Sequence, residues 1–532
     1  MTRGRWDRLL VPLVIVWGSM LLCPVESMAL AERAGAGPNV FEGSVPRAQC
    51  GPGSRPETGI QGEVPVADRR SGRSAEGYDC NLAVVGHYGP DDGFEGASWQ
   101  MAWFGDCAYF GTRIDGSEQR PGTQVIDASD RTDPRFSTSL TTTAMQNPWE
   151  SLKAHLGRGL LAGTLVGSVK GVFTGPGWFD VYDVSRDCRH PTLLASKPFP
   201  GLGHEGNWAQ DGRTYYAAGF TPGVVTAIDV EDAVNPRALG SFISQSMAHG
   251  LGTSLDGDRL YLAHVNADYT GPTVGGGAYG RGGRLGNNGL AIYDVSDFNR
   301  RRRNPQARLI STLYWKDGSI GQHVLPVTRN GRPYVVFVDE FDGGGARIID
   351  IGDERRPRIV SKLRTEIQMP EHQATFDAGR DYNGERGGDL APLTYNTHYC
   401  SVDRTDDPTI LVCSAFESGV RVFDIQNFSK PREIAYFNPG GTGNRLPGSY
   451  GGTTGGYTSA APRVIAESGE LWFTDQDRGF YVTRFTNGVW PRSRGPCWAA
   501  PVGPARRAQP ASAAVVEDEV QRGALLLRLR RR

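Results

Sequence analysis

The feature that most constrains the fold is a short motif, an apolar strand ending in aspartate, that recurs six times along the chain. Its copies read TQVID, FDVYD, VTAID, LAIYD, ARIID and VRVFD, and they end at Asp127, Asp183, Asp229, Asp294, Asp350 and Asp424. A proline follows each aspartate before the next short apolar run. Because aspartate and proline favour turns, each copy predicts a β-hairpin.

A second hairpin precedes each of these motifs. It consists of an apolar strand, a polar turn rich in Gly and Asp, and an aromatic strand, as in WAQDGRTYYAAG and TSLDGDRLYLAH. Two hairpins in succession give four strands per unit, which is typical of a β-propeller blade. Seven units are present, and they begin near Ser98, Trp149, His204, His249, His323, His398 and Ala460.

The two ends of the repeated region complement each other. The seventh unit lacks a fourth strand, whereas NLAVVGHY, at 81–88, has the fourth-strand pattern and precedes the first unit. A ring closed by this strand leaves no open sheet edge. The sequence therefore predicts an all-β, seven-bladed propeller over 80–498, in which an N-terminal strand completes the last blade.

The aspartate motifs, read as VIDAS, VYDVS, AIDVE, IYDVS, IIDIG and VFDIQ, resemble those of the LVIVD-repeat proteins. The resemblance covers roughly 80–485 and implies an exported propeller. It implies no particular activity, because the family has no established common one.

The regions outside the propeller read as an export signal and two loose segments. Arg3, Arg5 and Arg8 precede an apolar run and the small-residue site Ala29-Leu30-Ala31, so 1–31 is predicted to be a signal peptide. No later stretch is long and apolar enough to span a membrane. We expect a periplasmic or secreted protein with a low-complexity segment at 32–79 and a disordered tail at 499–532.

Charge and cysteine content narrow the function further. The chain has 57 Lys and Arg against 58 Asp and Glu, so it has no basic surplus for binding nucleic acid. Seven cysteines follow the signal peptide, enough for three disulfides in an oxidising compartment. Cys400 is either a thiolate metal ligand or the partner of Cys413, and the disulfide is favoured.

Histidines occupy one position of the repeat in four consecutive units. His204, His249 and His323 each lie seven residues before a DG or NG turn, and His398 has the same place in the sixth unit. The first strand of a blade lines the central channel, so four imidazoles should converge at its mouth. An all-nitrogen set without a carboxylate favours iron, copper or zinc. A structural role for the shared histidines is the alternative.

Acidic residues near these histidines are candidates to hold the imidazoles in place. Glu205 and Glu371 are the main ones, with Asp339 and Glu340 at the end of a strand, and His372 is a fifth ligand or a proton shuttle. Long Gly-rich loops are predicted on the same face. Together these features favour a metal-dependent oxidoreductase acting on a small organic molecule. The alternative is a non-catalytic scaffold that binds a protein or a glycan on the loop face.

Overall fold

A computed structural model of the protein describes residues 40–96, 98–111, 120–165, 177–199, 201–203, 205–219, 223–244, 246–265, 288–382, 393–443, 446, 449 and 453–490. Within these ranges the chain forms seven antiparallel sheets arranged as the blades of a β-propeller. The predicted fold class is confirmed. The predicted signal peptide and the tail at 499–532 lie outside the described residues.

Each of the first four blades is a meander of four consecutive strands. The strands are β3 (Met101–Phe104), β4 (Cys107–Gly111), β5 (Thr123–Asp127) and β6 (Arg135–Leu140) in blade one; β7 (Lys153–His155), β8 (Leu160–Thr164), β9 (Gly177–Asp183) and β10 (Thr192–Phe199) in blade two; β11 (Glu205–Trp208), β12 (Thr214–Ala218), β13 (Val224–Asp229) and β14 (Arg237–Ile243) in blade three; and β15 (Met247–Thr253), β16 (Arg259–Val265), β17 (Gly289–Asp294) and β18 (Arg308–Tyr314) in blade four.

The last three blades continue the pattern, and two of them include strands from the N-terminal part of the chain. The strands are β19 (Ser319–Arg329), β20 (Arg332–Phe341), β21 (Ala346–Asp350) and β22 (Arg358–Leu363) in blade five; β23 (Cys400–Val402), β24 (Ile410–Ser414), β25 (Val420–Asp424), β26 (Arg432–Asn438) and β1 (Tyr78–Cys80) in blade six; and β27 (Arg463–Ile465), β28 (Glu470–Asp475), β29 (Gly479–Phe485) and β2 (Leu82–Tyr88) in blade seven.

Ring closure follows the prediction. β2 pairs antiparallel with β29, from Leu82 opposite Phe485 to Tyr88 opposite Phe480, and so completes the last blade. The N-terminal strand therefore covers the edge that the seventh unit would otherwise leave open.

The six motif aspartates share one local role, which explains why the motif repeats. Each carboxylate accepts a hydrogen bond from the backbone N–H two residues further on, as Asp127 does from Ser129 and Asp350 from Gly352. This Asx turn reverses the chain between the third and fourth strands of a blade.

The hydrophobic core lies between neighbouring blades rather than at one centre. Val336 and Val338 of blade five pack with Leu411 and Phe423 of blade six, for example. The second and third strands of a blade, such as β12 and β13, are thus buried between neighbouring blades and are apolar on both faces, whereas an outermost strand such as β14 is partly exposed.

The segment before the propeller is ordered where the structure describes it. Residues 40–79, which the sequence indicated as low-complexity, run along the outside of blades five and six and contain α1 (Val66–Ser71). Phe41 bridges to Ser361, and β1 adds a fifth strand to blade six. Its composition was misleading because its order comes from contacts with distant blades.

Only two other α-helices occur among the described residues, α2 (Ser296–Asn299) and α3 (Gln373–Tyr382). Single 3-10 turns lie at Arg73–Glu76, Pro90–Asp92, Ala144–Gln146, Glu366–Gln368 and Pro370–His372. In the described part of the chain, no helix is long and apolar enough to cross a membrane.

Three disulfides link cysteines that are far apart in the sequence or across a hairpin. They join Cys50 to Cys80, Cys107 to Cys188, and Cys400 to Cys413. The disulfide reading of Cys400 is confirmed, and its sulfur is therefore not a thiolate ligand. Three disulfides are typical of proteins that fold in an oxidising compartment.

Candidate functional site

The candidate site lies where the first strands of the blades begin, around the propeller axis. His249, His323 and His398 are all buried there. A fourth side chain, Glu150, lies just before β7 in blade two and is also buried. His204, the remaining predicted ligand, lies outside the described residues.

Glu150 bridges two of the three histidines. One carboxylate oxygen, Oε2, lies 3.2 Å from Nε2 of His249. The other, Oε1, lies 2.9 Å from Nε2 of His398. Oε1 of Glu340 lies 3.4 Å from the same nitrogen of His398. The Nε2 atoms of two imidazoles, from blades four and six, therefore lie close to one carboxylate, and the contact of His249 has hydrogen-bond geometry.

The opposite nitrogen of each ring is fixed by the backbone. Nδ1 of His249 donates to the Gly321 carbonyl at 2.9 Å, and Nδ1 of His398 donates to the Ser459 carbonyl at 2.8 Å. With the proton on Nδ1, a neutral ring carries a lone pair on Nε2, and that lone pair faces a carboxylate oxygen. Such a contact is favourable only if a proton or a metal ion lies between the two atoms.

His398 and His323 differ in charge because their neighbours differ. Burial lowers the pKa of His398, but the nearby carboxylates of Glu150 and Glu340 outweigh this effect and raise the pKa to about 10. Burial, with the positive charges of Lys153 and His398, lowers the pKa of His323 to about 3. His323 is therefore neutral at neutral pH, and its buried Nδ1 has no hydrogen-bond partner among the described residues.

A second acid–base group adjoins the histidines. Nζ of Lys153 donates to the Glu150 carbonyl at 2.7 Å and lies 3.4 Å from Oε1 of Glu205. The hydroxyl of Tyr399 donates to Oε2 of Glu205 at 2.5 Å. Burial raises the pKa of Glu205 to about 7, although the charge of Lys153 opposes the rise, and burial lowers the pKa of Lys153.

An apolar layer contributed by six of the seven blades surrounds this cluster. Its members are Trp99, Trp149, Met247, Val265, Ile320, Phe341, Leu393, Phe416 and Tyr457. The rings of Trp99 and Phe416 lie 5.5 and 5.1 Å from that of His398, centroid to centroid. Side chains from six blades can meet only near the axis, so the layer keeps the histidines out of bulk water.

Three members of this layer have an unusual backbone conformation. Trp149, Ile320 and Phe416 have φ values of 47°, 53° and 44°, in the left-handed region. Bulky and β-branched side chains rarely adopt this conformation, and residues that do so concentrate at functional sites. The strain supports the axis as the functional region of the molecule.

The predicted supporting residues divide into two groups. Glu205 and Glu340 lie in the axial cluster, as described above. Glu371 is exposed, and His372 interacts electrostatically with Glu63 and Glu366 of the outer face instead of with the axial histidines. The structure places no contact between the histidines and either Glu371 or His372 among the described residues.

The sequence interpretation missed Glu150, and the strand register shows which position of the repeat it occupies. Lys153 in blade two and Asn207 in blade three occupy equivalent positions of the repeat. In both blades, the second-strand residue that pairs with this position lies the same number of residues after the one that pairs with the motif aspartate. Glu150 is three residues before Lys153, and His204 is three residues before Asn207. Glu150 therefore occupies the histidine position of blade two. Alignment on the turns did not reveal this, because blade two has no DG or NG turn.

In the described structure the site is held together by hydrogen bonds. Among the residues that the structure describes, no three His, Cys, Asp or Glu side chains form, in their present positions, a group that could hold a metal ion. The expectation of an all-nitrogen set without a carboxylate also needs correction, since Glu150 lies between His249 and His398.

Comparisons with known proteins give no family. No family model matches the chain, and no curated protein matches it. Membership of the LVIVD-repeat family stays a prediction from the motifs.

Solved structures with a related shape are propellers of low sequence identity. The periplasmic gluconolactonase of Pseudomonas aeruginosa is 15% identical, with a TM-score of 0.44 over 71% of this chain and 95% of its own. Hydrazine synthase of Kuenenia stuttgartiensis is 10% identical, with a TM-score of 0.44 over 73% and 96%. A putative 6-phosphogluconolactonase of Bacteroides uniformis is 13% identical, with a TM-score of 0.44 over 70% and 94%. At this similarity the names carry no information about the function of this chain.

Proposed function

We propose that this protein is an exported metalloprotein in which the axial cluster binds one transition-metal ion, with Glu150, His249 and His398 as ligands. Its function is then that of a metal-dependent oxidoreductase acting on a small organic molecule. His204 and His323 are the further ligands expected from the repeat. The three disulfides and the predicted signal peptide support export.

The observation that carries the proposal is that the Nε2 atoms of two imidazoles lie within 3.2 Å of one carboxylate. Both Nδ1 atoms are committed to backbone carbonyls, which leaves both Nε2 atoms as ligands. Metal-bound histidines usually have this arrangement, in which the second nitrogen donates to a carbonyl or a carboxylate.

The distances suit an ion that replaces the present hydrogen bonds. Two ligand atoms about 2.1 Å from a shared ion, at a right or tetrahedral angle, are roughly 3.0 to 3.4 Å apart. The Nε2 to oxygen distances are 2.9 Å for His398 and 3.2 Å for His249. Small rotations of these side chains are therefore enough to admit the ion.

Charge favours a cation at the same place. Glu150, Glu205 and Glu340 bring three carboxylates to the axis, and Lys153 is the one ammonium group that contacts them there among the described residues. His398, with its pKa raised to about 10, is a second cation there, so three negative charges face two positive charges and leave an excess of one negative charge if all are ionised. Buried charges of one sign are costly, and a divalent ion that replaces the His398 proton neutralises this excess.

The types of ligand restrict which metal ion the site can be expected to bind. Two histidines and one carboxylate are a ligand set typical of non-haem iron(II) sites in oxygenases, and two further histidines would still leave a six-coordinate ion one open position. Such an ion supplies redox chemistry and a binding position for a small molecule. The apolar layer around His398 excludes water from that position and gives the organic part of a substrate an apolar surface.

The test is metal analysis of the exported chain with matched variants. The protein is purified, its metals are measured, and the metal-free form is titrated with iron(II) without oxygen and with cobalt(II), which reports by its absorption spectrum. Glu150→Gln and His249→Gln remove ligands but keep polar side chains. His190→Gln is the matched control, because His190 is an exposed histidine that contacts Asp187.

We expect about one equivalent of metal in the wild type and in His190→Gln, with binding at least tenfold weaker in the other two variants. Metal should also stabilise the wild type, by about 2.7 kcal/mol at a concentration one hundred times the Kd. A wild type that takes up no metal after reconstitution overturns the proposal and favours a scaffold that binds a protein or a glycan. If a ligand variant does not fold, the wild-type measurements decide alone.

A further inference from the structure

A chain of buried hydrogen bonds leads from blade five to His249. The Gly321 carbonyl accepts from Nδ1 of His249, and the Gly321 N–H donates to Oδ1 of Asn288 at 2.8 Å. Nδ2 of Asn288 donates to Oδ1 of Asp339 at 2.8 Å and to the Gly318 carbonyl at 3.2 Å. Asn288 thus holds the backbone that holds the imidazole.

The far end of this chain is firmly anchored. Asp339 is completely buried, and its Oδ2 accepts from the indole N–H of Trp315 at 2.8 Å. Arg347, also buried, donates to the same oxygen. Because these partners fix the Asp339 carboxylate, the orientation of the Asn288 amide is fixed as well.

The backbone around Gly321 has an energetically unfavourable conformation. Ile320, just before it, has a φ of 53°, which a β-branched residue rarely adopts. A Cβ on Gly321 would lie 2.6 Å from Cζ of Phe337, so the position has no room for a side chain. Such strain persists only where surrounding contacts impose it, and Asn288 supplies one of these contacts.

We infer that Asn288 is a positioning residue for the axial site, acting through Gly321 to hold His249 with Nε2 directed at the metal. This inference rests on the proposed function, because it assigns His249 a ligand role. Residues that orient a ligating histidine typically change metal affinity 10-fold to 100-fold when they are replaced.

The experiment compares Asn288→Ala with Asn438→Ala. Asn438 is equally buried and also bonds backbone groups, the Glu417 carbonyl and the Gly440 N–H, but it does not contact the histidines. Cobalt(II) affinity, the cobalt absorption spectrum and the melting temperature are measured for the wild type and both variants. A purely structural asparagine would change the melting temperature without changing the spectrum.

A second readout does not depend on metal. In protein labelled with ¹⁵N at histidine, the Nδ1–H of His249 should give a signal protected from exchange, assigned by its loss in His249→Gln. We expect Asn288→Ala to weaken cobalt binding 10-fold to 100-fold, alter the spectrum and lose this protection, while Asn438→Ala retains all three properties.

Two results would overturn the inference. One is an Asn288→Ala protein with wild-type affinity, spectrum and protection, and the other is an equal loss in both variants. A wild type that binds no cobalt refutes the metal proposal instead. The protection of the His249 signal then decides alone whether Asn288 positions the ring.

Discussion

The strongest stability prediction concerns Arg69, which joins α1 of the N-terminal segment to blade six. Its guanidinium lies 2.7 Å from the Glu417 carboxylate, and both side chains are fully buried. The guanidinium also donates to the Val64 carbonyl, the Thr454 hydroxyl and the Tyr395 hydroxyl at 2.9 to 3.0 Å. Arg69→Met keeps most of the apolar volume but removes all four hydrogen bonds.

The expected loss follows from what remains behind. Without Arg69, the Glu417 carboxylate stays buried but loses the cation that α1 supplies. Removal of one partner of a buried ion pair lowers the free energy of unfolding by about 3 to 5 kcal/mol. The matched control is Arg55→Met in the same segment. Arg55 lies 2.8 Å from the buried Asp79, but its side chain is 51% exposed and the Arg55 backbone N–H still donates to that carboxylate, so its removal should cost about 1 kcal/mol.

The assay is urea unfolding followed by tryptophan fluorescence, with free energies taken from midpoints at a common slope. Limited proteolysis of 40–80 shows whether the segment detaches first. Arg69→Met combined with Glu417→Gln should recover part of the loss, because the double variant no longer buries the Glu417 charge without the guanidinium of Arg69. If the free energies of unfolding of Arg69→Met and Arg55→Met differ by less than 1 kcal/mol, the segment does not contribute to stability as the contacts indicate.

Two further predictions concern a buried histidine and the disulfides. Burial lowers the pKa of His264 to about 4 in the folded protein. The unfolded chain, in which a histidine has a pKa of about 6.5, therefore binds the proton more readily. The free energy of unfolding should fall by about 1.4 kcal/mol per pH unit as the pH drops from about 6.5 to 4. Urea midpoints measured against pH should show a flatter curve for His264→Gln, and an unchanged slope contradicts the assignment. Loss of Cys107–Cys188, which closes 81 residues, should cost roughly 4.5 kcal/mol, against roughly 3 kcal/mol for Cys400–Cys413, which closes 13. Thermal unfolding of the two double-alanine variants tests the order, and equal losses would refute the loop-length argument.

The periodic parts of the molecule were predictable because their causes are local. The Asp127 and Asp350 motifs predict the same turn in blades one and five, because each carboxylate accepts a hydrogen bond from the backbone N–H two residues further on. The unpaired fourth-strand pattern at 81–88 indicated closure, and β2 pairs with β29 accordingly. The Cys400–Cys413 disulfide was predictable for the same reason, as it crosses one hairpin.

The axial site was predictable only in part. The histidine spacing placed His249 and His398 at the channel. It did not reveal Glu150, because blade two lacks the DG or NG turn on which the units were aligned. Glu371 and His372 were candidates because they are adjacent in a long loop, yet Glu371 is exposed and His372 interacts with Glu63 and Glu366 instead of with the axial histidines. Proximity in a loop does not determine which way the loop folds over the blades.

By itself, the sequence determined the number of blades, the order of their strands and the closure of the ring, because alternating apolar residues and turn-forming side chains act over a few residues. The tertiary structure alone decided that Glu150 lies between His249 and His398, and that residues 40–79 dock on blades five and six through Arg69 and Glu417. These contacts join residues between 99 and 348 positions apart. Their geometry depends on how seven blades pack around an axis, and no local pattern in the chain records it.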